Sequence, residues 1–312
     1  MEEKILEKLN HLYPINIKKV ISATDEMYRC IAEQGIFFAR ITNYKTYEEQ
    51  LEKVKWTDFL HCEGLGVAPS IASVEGRIIE TINLEEEKLA VLYKAAPGKH
   101  LPRNQWNASV LKELGRQIGR LHRLSKKYEK MEGTKHIKDW YENEEYNFLK
   151  YIPYEQTIIR EKAREVLSMI EELPKSEGSY GLVHGDLWLE NILVDSDSKI
   201  SMVDFQDCEK HYYLYDLAVP IYSALEYTFE GKGNITEYGR AIIKAIIEGY
   251  QEENNMDPEI LDKLPLFITL KEIFEYSLMY MYWNQQKLHE EQIRIMNHFR
   301  IRIEQNHSIL PK

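Results

Sequence analysis

Cysteine is scarce in this chain. Cys30, Cys62 and Cys208 are the three present in 312 residues, and their separations match no metal-ligand spacing. Their odd number argues against a disulfide framework, so free thiols in a reducing cytoplasm are the expectation. No apolar run approaches the roughly 20 residues that a membrane-spanning helix needs. The opening MEEKILEKLN is acidic and amphipathic, where a secretory signal would be basic and then apolar. Repeats and low-complexity tracts are absent. Positive charge is also in short supply: 40 Lys and Arg stand against 51 Asp and Glu, a formal net charge of −11. Such a surface repels nucleic-acid phosphates and anionic lipid, so neither nucleic acid nor membrane is an expected partner, and long-range attraction favours cationic ligands.

What remains is a continuous globular chain, long enough for two lobes. Ile5, Leu6, Leu9 and Leu12 share one helical face. Short β-rich runs follow, IKKVIS from Ile17, MYRCIA from Met27 and IFFARI from Ile36, separated by the polar turn candidates SATDE and EQG. TYEEQLEKVKWTDFLHCEG reads as a helix ending at Gly64. RIIETI from Arg77 and KLAVLY from Lys88 complete an expected five-stranded sheet with one helix. Composition changes near Ala95. APGKHLP is a turn-rich linker, beyond which helical periodicity dominates, with Val110, Leu111, Leu114, Ile118 and Leu121 in one stripe and a second helix over Thr157–Leu173. The expected class is α+β and bilobal: a small N-terminal antiparallel sheet lobe over 1–94, a hinge near 93–98, and a larger, mainly helical lobe over 95–312.

One β-like interruption of the helical part, GLVHGDLWLENILVDSDSKISMVDF, concentrates oxygen ligands. Phosphoryl transfer from a nucleoside triphosphate needs a divalent cation on hard oxygen ligands. It also needs a separate carboxylate to orient a hydroxyl and take its proton, with positioning and electrostatics supplying most of the rate. Asp186, Asn191 and Asp204 offer those oxygens. A loop between Asp186 and Asn191 can aim one group at substrate and the other at metal, while the apolar run ISMV fixes the direction of Asp204.

HGDLWLEN followed by VDF resembles the catalytic loop and metal signature of the aminoglycoside phosphotransferase and choline kinase superfamily, which has a protein-kinase-like fold. The resemblance spans roughly Ile17 to Leu225. It implies Asp186 as catalytic base, Asn191 and Asp204 as Mg2+ ligands, and His184 as a brace for the loop. YDLA at Tyr215 to Ala218 looks like the motif whose aspartate, here Asp216, supports that loop from a helix start. LGRQIGRLHRLS also resembles the family's helix leading into the larger lobe.

The resemblance further implies a nucleotide site for ATP, with GTP as the alternative. Arg40 in FFARI stands where a strand lysine usually grips the α- and β-phosphates, and arginine brings a bidentate fork in place of a point charge. Its glutamate partner is expected in the TYEEQLEKVKW helix, with Glu52 the best placed and Glu48 and Glu49 as alternatives. The segment Ser22–Tyr28 takes the place of the phosphate-covering loop and has no glycine, so the backbone amides of Ala23 to Glu26 are the expected cover. LAVLYKAAPGKHL resembles the hinge, with adenine read by backbone near Lys94 and Ala96 and Tyr93 as gatekeeper.

Beyond Leu225 the chain is rich in acids and aromatics, among them Glu226, Tyr227, Glu230, Glu272, Glu275, Tyr276 and Tyr280. Glu226, Glu272 and Glu275 are candidates to hold an ammonium-bearing acceptor by ion pairing and cation–π contact, as is Asp207, although Asp207 and Glu209 also read as solvated loop residues. The alternative is that KEIFEYSLMYMYW is a core helix. An aminoglycoside, an amino alcohol such as choline, and homoserine all fit as small-molecule hydroxyl acceptors. Two competing readings are a protein Ser/Thr kinase, disfavoured by the short segment Gln206–Tyr215 between VDF and YDLA, and a non-catalytic nucleotide-binding pseudokinase, disfavoured by the intact Asp186, Asn191 and Asp204.

Overall fold

The structure, a computed structural model, describes residues 1–228 and 234–310. Glu230 lies outside the described residues. The chain divides into two compact units. The first comprises Met1–His100, Lys127–Ile137 and Asn191–Gln206, and the second comprises Leu101–Lys126, Lys138–Glu190 and Asp207–Lys312.

In the first unit, helix α1 (Glu2–Leu12) precedes strands β1 (Ile17–Ser22), β2 (Met27–Ala32) and β3 (Gly35–Thr42). Helix α2 (Tyr47–Cys62) follows, then β4 (Ser70–Ile71), β5 (Glu80–Asn83) and β6 (Glu87–Lys94). The sheet is antiparallel in the order β1-β2-β3-β6-β4, with β5 also on β6. It therefore has six strands where five were expected; β4 is two residues long and too short to leave a periodic signal.

Alternation along β3 decides the placement of Arg40. Phe37, Ala39 and Ile41 join Ile5, Leu9, Tyr13 and Val20 in the core beneath α1. Successive strand side chains face opposite ways, so Arg40 falls on the other face. There its register partner Val91 packs with Val54 and Leu51 of α2. A capping box starts α2, with the Thr46 hydroxyl accepting from the Glu49 amide and the Glu49 carboxylate from the Thr46 amide.

The same unit contains the hairpin β8 (Ile192–Val194) and β9 (Ile200–Met202). Two backbone contacts hold it. The Met202 amide donates to the Gly66 carbonyl, and Lys99 and Val194 exchange a pair of backbone hydrogen bonds. At Gly98 a Cβ would stand 2.8 Å from the Val194 carbonyl carbon, which explains the glycine of the APG turn.

The second unit contains most of α3 (Ala108–Glu132), then α4 (Phe148–Tyr151), α5 (Thr157–Glu171) and the strand β7 (Tyr180–Val183). Strand β10 (Glu209–Tyr212) pairs with β7, and helices α6 (Tyr213–Tyr227), α7 (Ile235–Glu253), α8 (Pro258–Leu261), α9 (Leu264–Tyr282) and α10 (Glu290–Glu304) follow. Helix α9 is packed by α4, α5, α6 and α10 and is buried on most of its circumference, as expected of a helix apolar nearly all round. Among the described residues no helix is long and apolar enough to cross a membrane.

Candidate active site

In the first unit Arg40 and Asp204 meet. Arg40 Nη2 lies 2.6 Å from Asp204 Oδ1, and Nη1 lies 3.8 Å from Glu26 Oε2. Glu26 is fixed in turn by the Thr42 hydroxyl at 2.5 Å. Asp204 lies two residues beyond the end of β9, at φ 63°. Aspartate tolerates this left-handed conformation better than most residues, at a cost of about 1–2 kcal/mol. The Val203 amide donates to the Asn191 carbonyl at 2.9 Å, so the two expected metal ligands flank the same end of the β8–β9 hairpin.

This donor set fits a small hard cation. Among the described residues no group of three or more His, Cys, Asp and Glu forms a cage. Mg2+ commonly takes one or two carboxylates and completes its shell with phosphate and water. Asp204 and Asn191 would hold it from the hairpin.

Glu52 does not face Arg40. Its carboxylate accepts the backbone amides of Lys135, His136 and Ile137 at 2.6–2.8 Å. One residue along a helix is a 100° turn, and the buried positions of α2 are Gln50, Lys53, Val54, Trp56, Thr57 and Leu60. Lys53 Nζ donates to Gln206 Oε1 at 2.7 Å, and Trp56 meets Phe205 edge to face at 5.5 Å. Helix α2 thus grips the residues after Asp204 through a lysine that the sequence did not single out.

The expected amide cover is also revised. The Ala23 and Thr24 amides donate to the Met27 carbonyl and the Glu26 amide to the Thr24 hydroxyl, so three of the four amides are used within the turn. At the hinge, the Lys94 amide is taken by the Pro69 carbonyl and the Ala95 amide by Ile36. Tyr93 is half-buried against the α2 cluster, and Ala96 makes no hydrogen bond among the described residues.

In the second unit, Asp216 in the first turn of α6 organises the loop before Asp186. Its two oxygens accept the His184 amide at 2.7 Å and the Gly185 amide at 2.9 Å, and His122 Nε2 lies 3.0 Å away. Burial pushes the His122 pKa below its ordinary value, more than Asp216 pulls it back. The neutral ring then donates from Nε2 and accepts the Tyr250 hydroxyl on Nδ1, a tautomer assigned from these partners. Gly185 has φ 84°, and a Cβ there would lie 2.3 Å from the Asp207 carbonyl oxygen. Glycine is required at this position on both counts.

Asp186 lies 3.5 Å from the ammonium of Lys271 on α9, which in turn pairs with Glu275 at 2.7 Å. The expected ammonium-binding acids already have internal partners. Arg302 on α10 binds Glu272, Glu226 (2.5 Å) and the Tyr222 hydroxyl (2.5 Å), and Lys271 holds Glu275. Asp207 is half-buried. Glu209 is buried, accepting from the Tyr146 hydroxyl at 2.8 Å, so it is not a solvated loop residue. Tyr276 and Tyr280 both bond to Gln156. His122, Lys271 and Arg302 escaped sequence reasoning because their partners lie 94, 85 and 30 to 80 residues away; for Lys271 the available signals were a lone basic residue in a strongly apolar helix and Glu275 four positions on.

Comparison with known proteins places these features in a family. Residues 17–253 match the model of a phosphotransferase enzyme family. The amicoumacin kinase of Bacillus subtilis (strain 168) is 26% identical over 310 residues, covering 97% of this chain and 92% of that protein. The solved structure of amicoumacin kinase hAmiN in complex with AMP-PNP, Ca2+ and Ami superposes with a TM-score of 0.91 at 27% identity, covering 99% of this chain and 95% of that one. A microcompartment-associated aminopropanol kinase shares the fold, with a TM-score of 0.72 at 19% identity over 97% and 95% of the two chains.

Proposed function

Because the chain belongs to this phosphotransferase enzyme family and is a kinase with an alcohol group as acceptor, we propose that it moves the γ-phosphoryl group of ATP to a hydroxyl of a small molecule, with Asp186 as base. The observation that carries this reading is the clamp of Asp216 on the His184 and Gly185 amides, which presents Asp186 from a fixed turn. Asp186 takes the hydroxyl proton as the new oxygen–phosphorus bond forms and the bond to the departing ADP breaks. Arg40 would grip the phosphates, Ala96 would offer its amide at the hinge, and Asn191 and Asp204 would hold Mg2+, whose charge would neutralise the triphosphate.

Arg302 pairs with both Glu226 and Glu272, and Lys271 with Glu275. Two cations against three carboxylates leave net negative charge there, so an amine-bearing acceptor stays compatible with this part of the second unit. Similarity along nearly the whole length to amicoumacin kinase makes amicoumacin the first acceptor to try.

The experiment is ADP release from Mg-ATP by purified protein with amicoumacin, homoserine, choline, aminopropanol and an aminoglycoside offered in turn, and with a generic protein substrate as control. Turnover dependent on one small hydroxyl compound supports the proposal and names its class. Turnover with the protein substrate alone would overturn it.

A further inference from the structure

The immediate neighbour of Asp186 in the second unit is a cation that comes from far along the chain. Lys271 belongs to α9, and only 1% of its side chain is exposed. Its ammonium lies 3.5 Å from Asp186 Oδ1 and 2.7 Å from Glu275 Oε1, over the rings of Trp188 (4.9 Å) and Phe274 (5.0 Å). The Tyr215 phenol of α6 also faces it. Beyond Tyr215 lie Tyr146 and the Glu209 carboxylate. Glu272, Glu226 and Arg302 lie around Tyr222, which Glu275 also faces.

We propose that Lys271 is a positioning residue for phosphoryl transfer: from α9 it shares one buried positive charge between Glu275 and Asp186, holding the Asp186 carboxylate in place beside the catalytic loop. This inference rests on the role proposed for Asp186.

An ammonium taken out of water costs several kcal/mol unless paired, so its retention as the one cation of a largely buried helix needs a reason. Neutralising Glu275 alone is a poor one, since an apolar pair of similar size would serve the fold as well. The second contact supplies the reason. Asp186 must stay unprotonated while a strongly anionic phosphoryl group approaches, and like charge at short range favours protonation of a carboxylate. A fixed ammonium opposes that. The stack on Trp188, two residues after Asp186, keeps the cation and the loop in register. Burial alone would lower the Lys271 pKa, yet Glu275, Tyr215 and Asp186 together raise it, so the lysine remains charged throughout the working pH range.

Two variants should move the Asp186 titration in opposite directions. Lys271→Met removes the cation and leaves two carboxylates facing one another, so the Asp186 midpoint rises. Glu275→Gln gives the whole cation to Asp186, so its midpoint falls. Lys271→Arg should stay near wild type. Aspartate labelled with 13C at the carboxyl reads this directly in full-length protein, the Asp186 resonance being identified by its loss in Asp186→Asn. We expect the Asp186 midpoint to rise in Lys271→Met, with the acid limb of kcat following it. Should Lys271→Met not fold, Glu275→Gln, which alters a side chain 21% exposed, decides by its downward shift. An unmoved Asp186 midpoint in the folded variants would overturn the positioning role alone. Wild-type turnover in Asp186→Asn would overturn the reading on which it rests.

Discussion

Arg40 holds Asp204 at 2.6 Å within one compact unit, the strand cation closed directly on the proposed metal ligand. Phosphate and metal arriving together would exchange this pair for a wider arrangement, with Asp204 on the metal and Arg40 on phosphate oxygen. Charge-assisted hydrogen bonds are worth about 1.5–3 kcal/mol. Arg40→Met should therefore weaken Mg-AMP-PNP binding roughly 10- to 150-fold by calorimetry. Arg40→Lys should lose less, keeping the charge without the fork. Equal affinity in Arg40→Met and wild type would remove Arg40 from the nucleotide site.

Asp216 is fully buried and accepts two backbone amides and the His122 ring. In Asp216→Asn the amide nitrogen must face one of these donors. A loss of stability on the order of 3 kcal/mol is expected, read as a lower denaturation midpoint, together with a fall in kcat larger than any change in KM for ATP.

Gly185→Ala meets two obstacles, a left-handed backbone and the Asp207 carbonyl 2.3 Å from the new Cβ. The backbone term alone is about 1–2 kcal/mol, and the clash must also displace Asp186 or Asp207. The variant should retain nucleotide binding by calorimetry while turnover falls at least about tenfold, since small displacements of a positioned group are costly in rate.

Acid should destabilise the second unit through its buried histidines. His211 is stacked on Tyr215 at 4.4 Å and on Trp140, accepts the Tyr212 amide on Nδ1, and leaves Nε2 unpartnered. Burial depresses its pKa far below the ordinary value, with Lys175 adding to the effect. Burial likewise lowers that of His122. The unfolded chain then binds more protons, so stability is full above about pH 6.5, the unfolded value, and falls as pH drops below it. Denaturation midpoints measured from pH 7.5 to 5 should fall, and less steeply in His211→Phe. Equal slopes would show that His211 does not carry its share.

Much of this site is legible in sequence because its parts are local. His184, Gly185 and Asp186 share one turn, and Asp216 announces itself at a helix start. Asn191 and Asp204 bracket a short hairpin whose apolar runs are plain. Glu52 misleads because distance along a chain says little about the face of a helix: it lies one position from the buried Lys53 and points instead to the amides of residues 135–137. In the turn of Ala23 to Glu26 the hairpin uses three of its own amides, which composition does not reveal. Lys271 and Arg302 could not be placed at all. Each is one basic residue in a helix, and its role is defined by acids 85 and 76 residues earlier that only tertiary packing brings near.

Phosphoryl transfer through Asp186 is tested most directly by acceptor-dependent ADP release in wild-type protein and in Asp186→Ala, with Mg-AMP-PNP affinity measured alongside. Loss of a positioned base typically costs about 10²- to 10⁴-fold. The expected result is a fall of that size in kcat with nucleotide affinity within about threefold of wild type. An Asp186→Ala protein that turns over at the wild-type rate would contradict it.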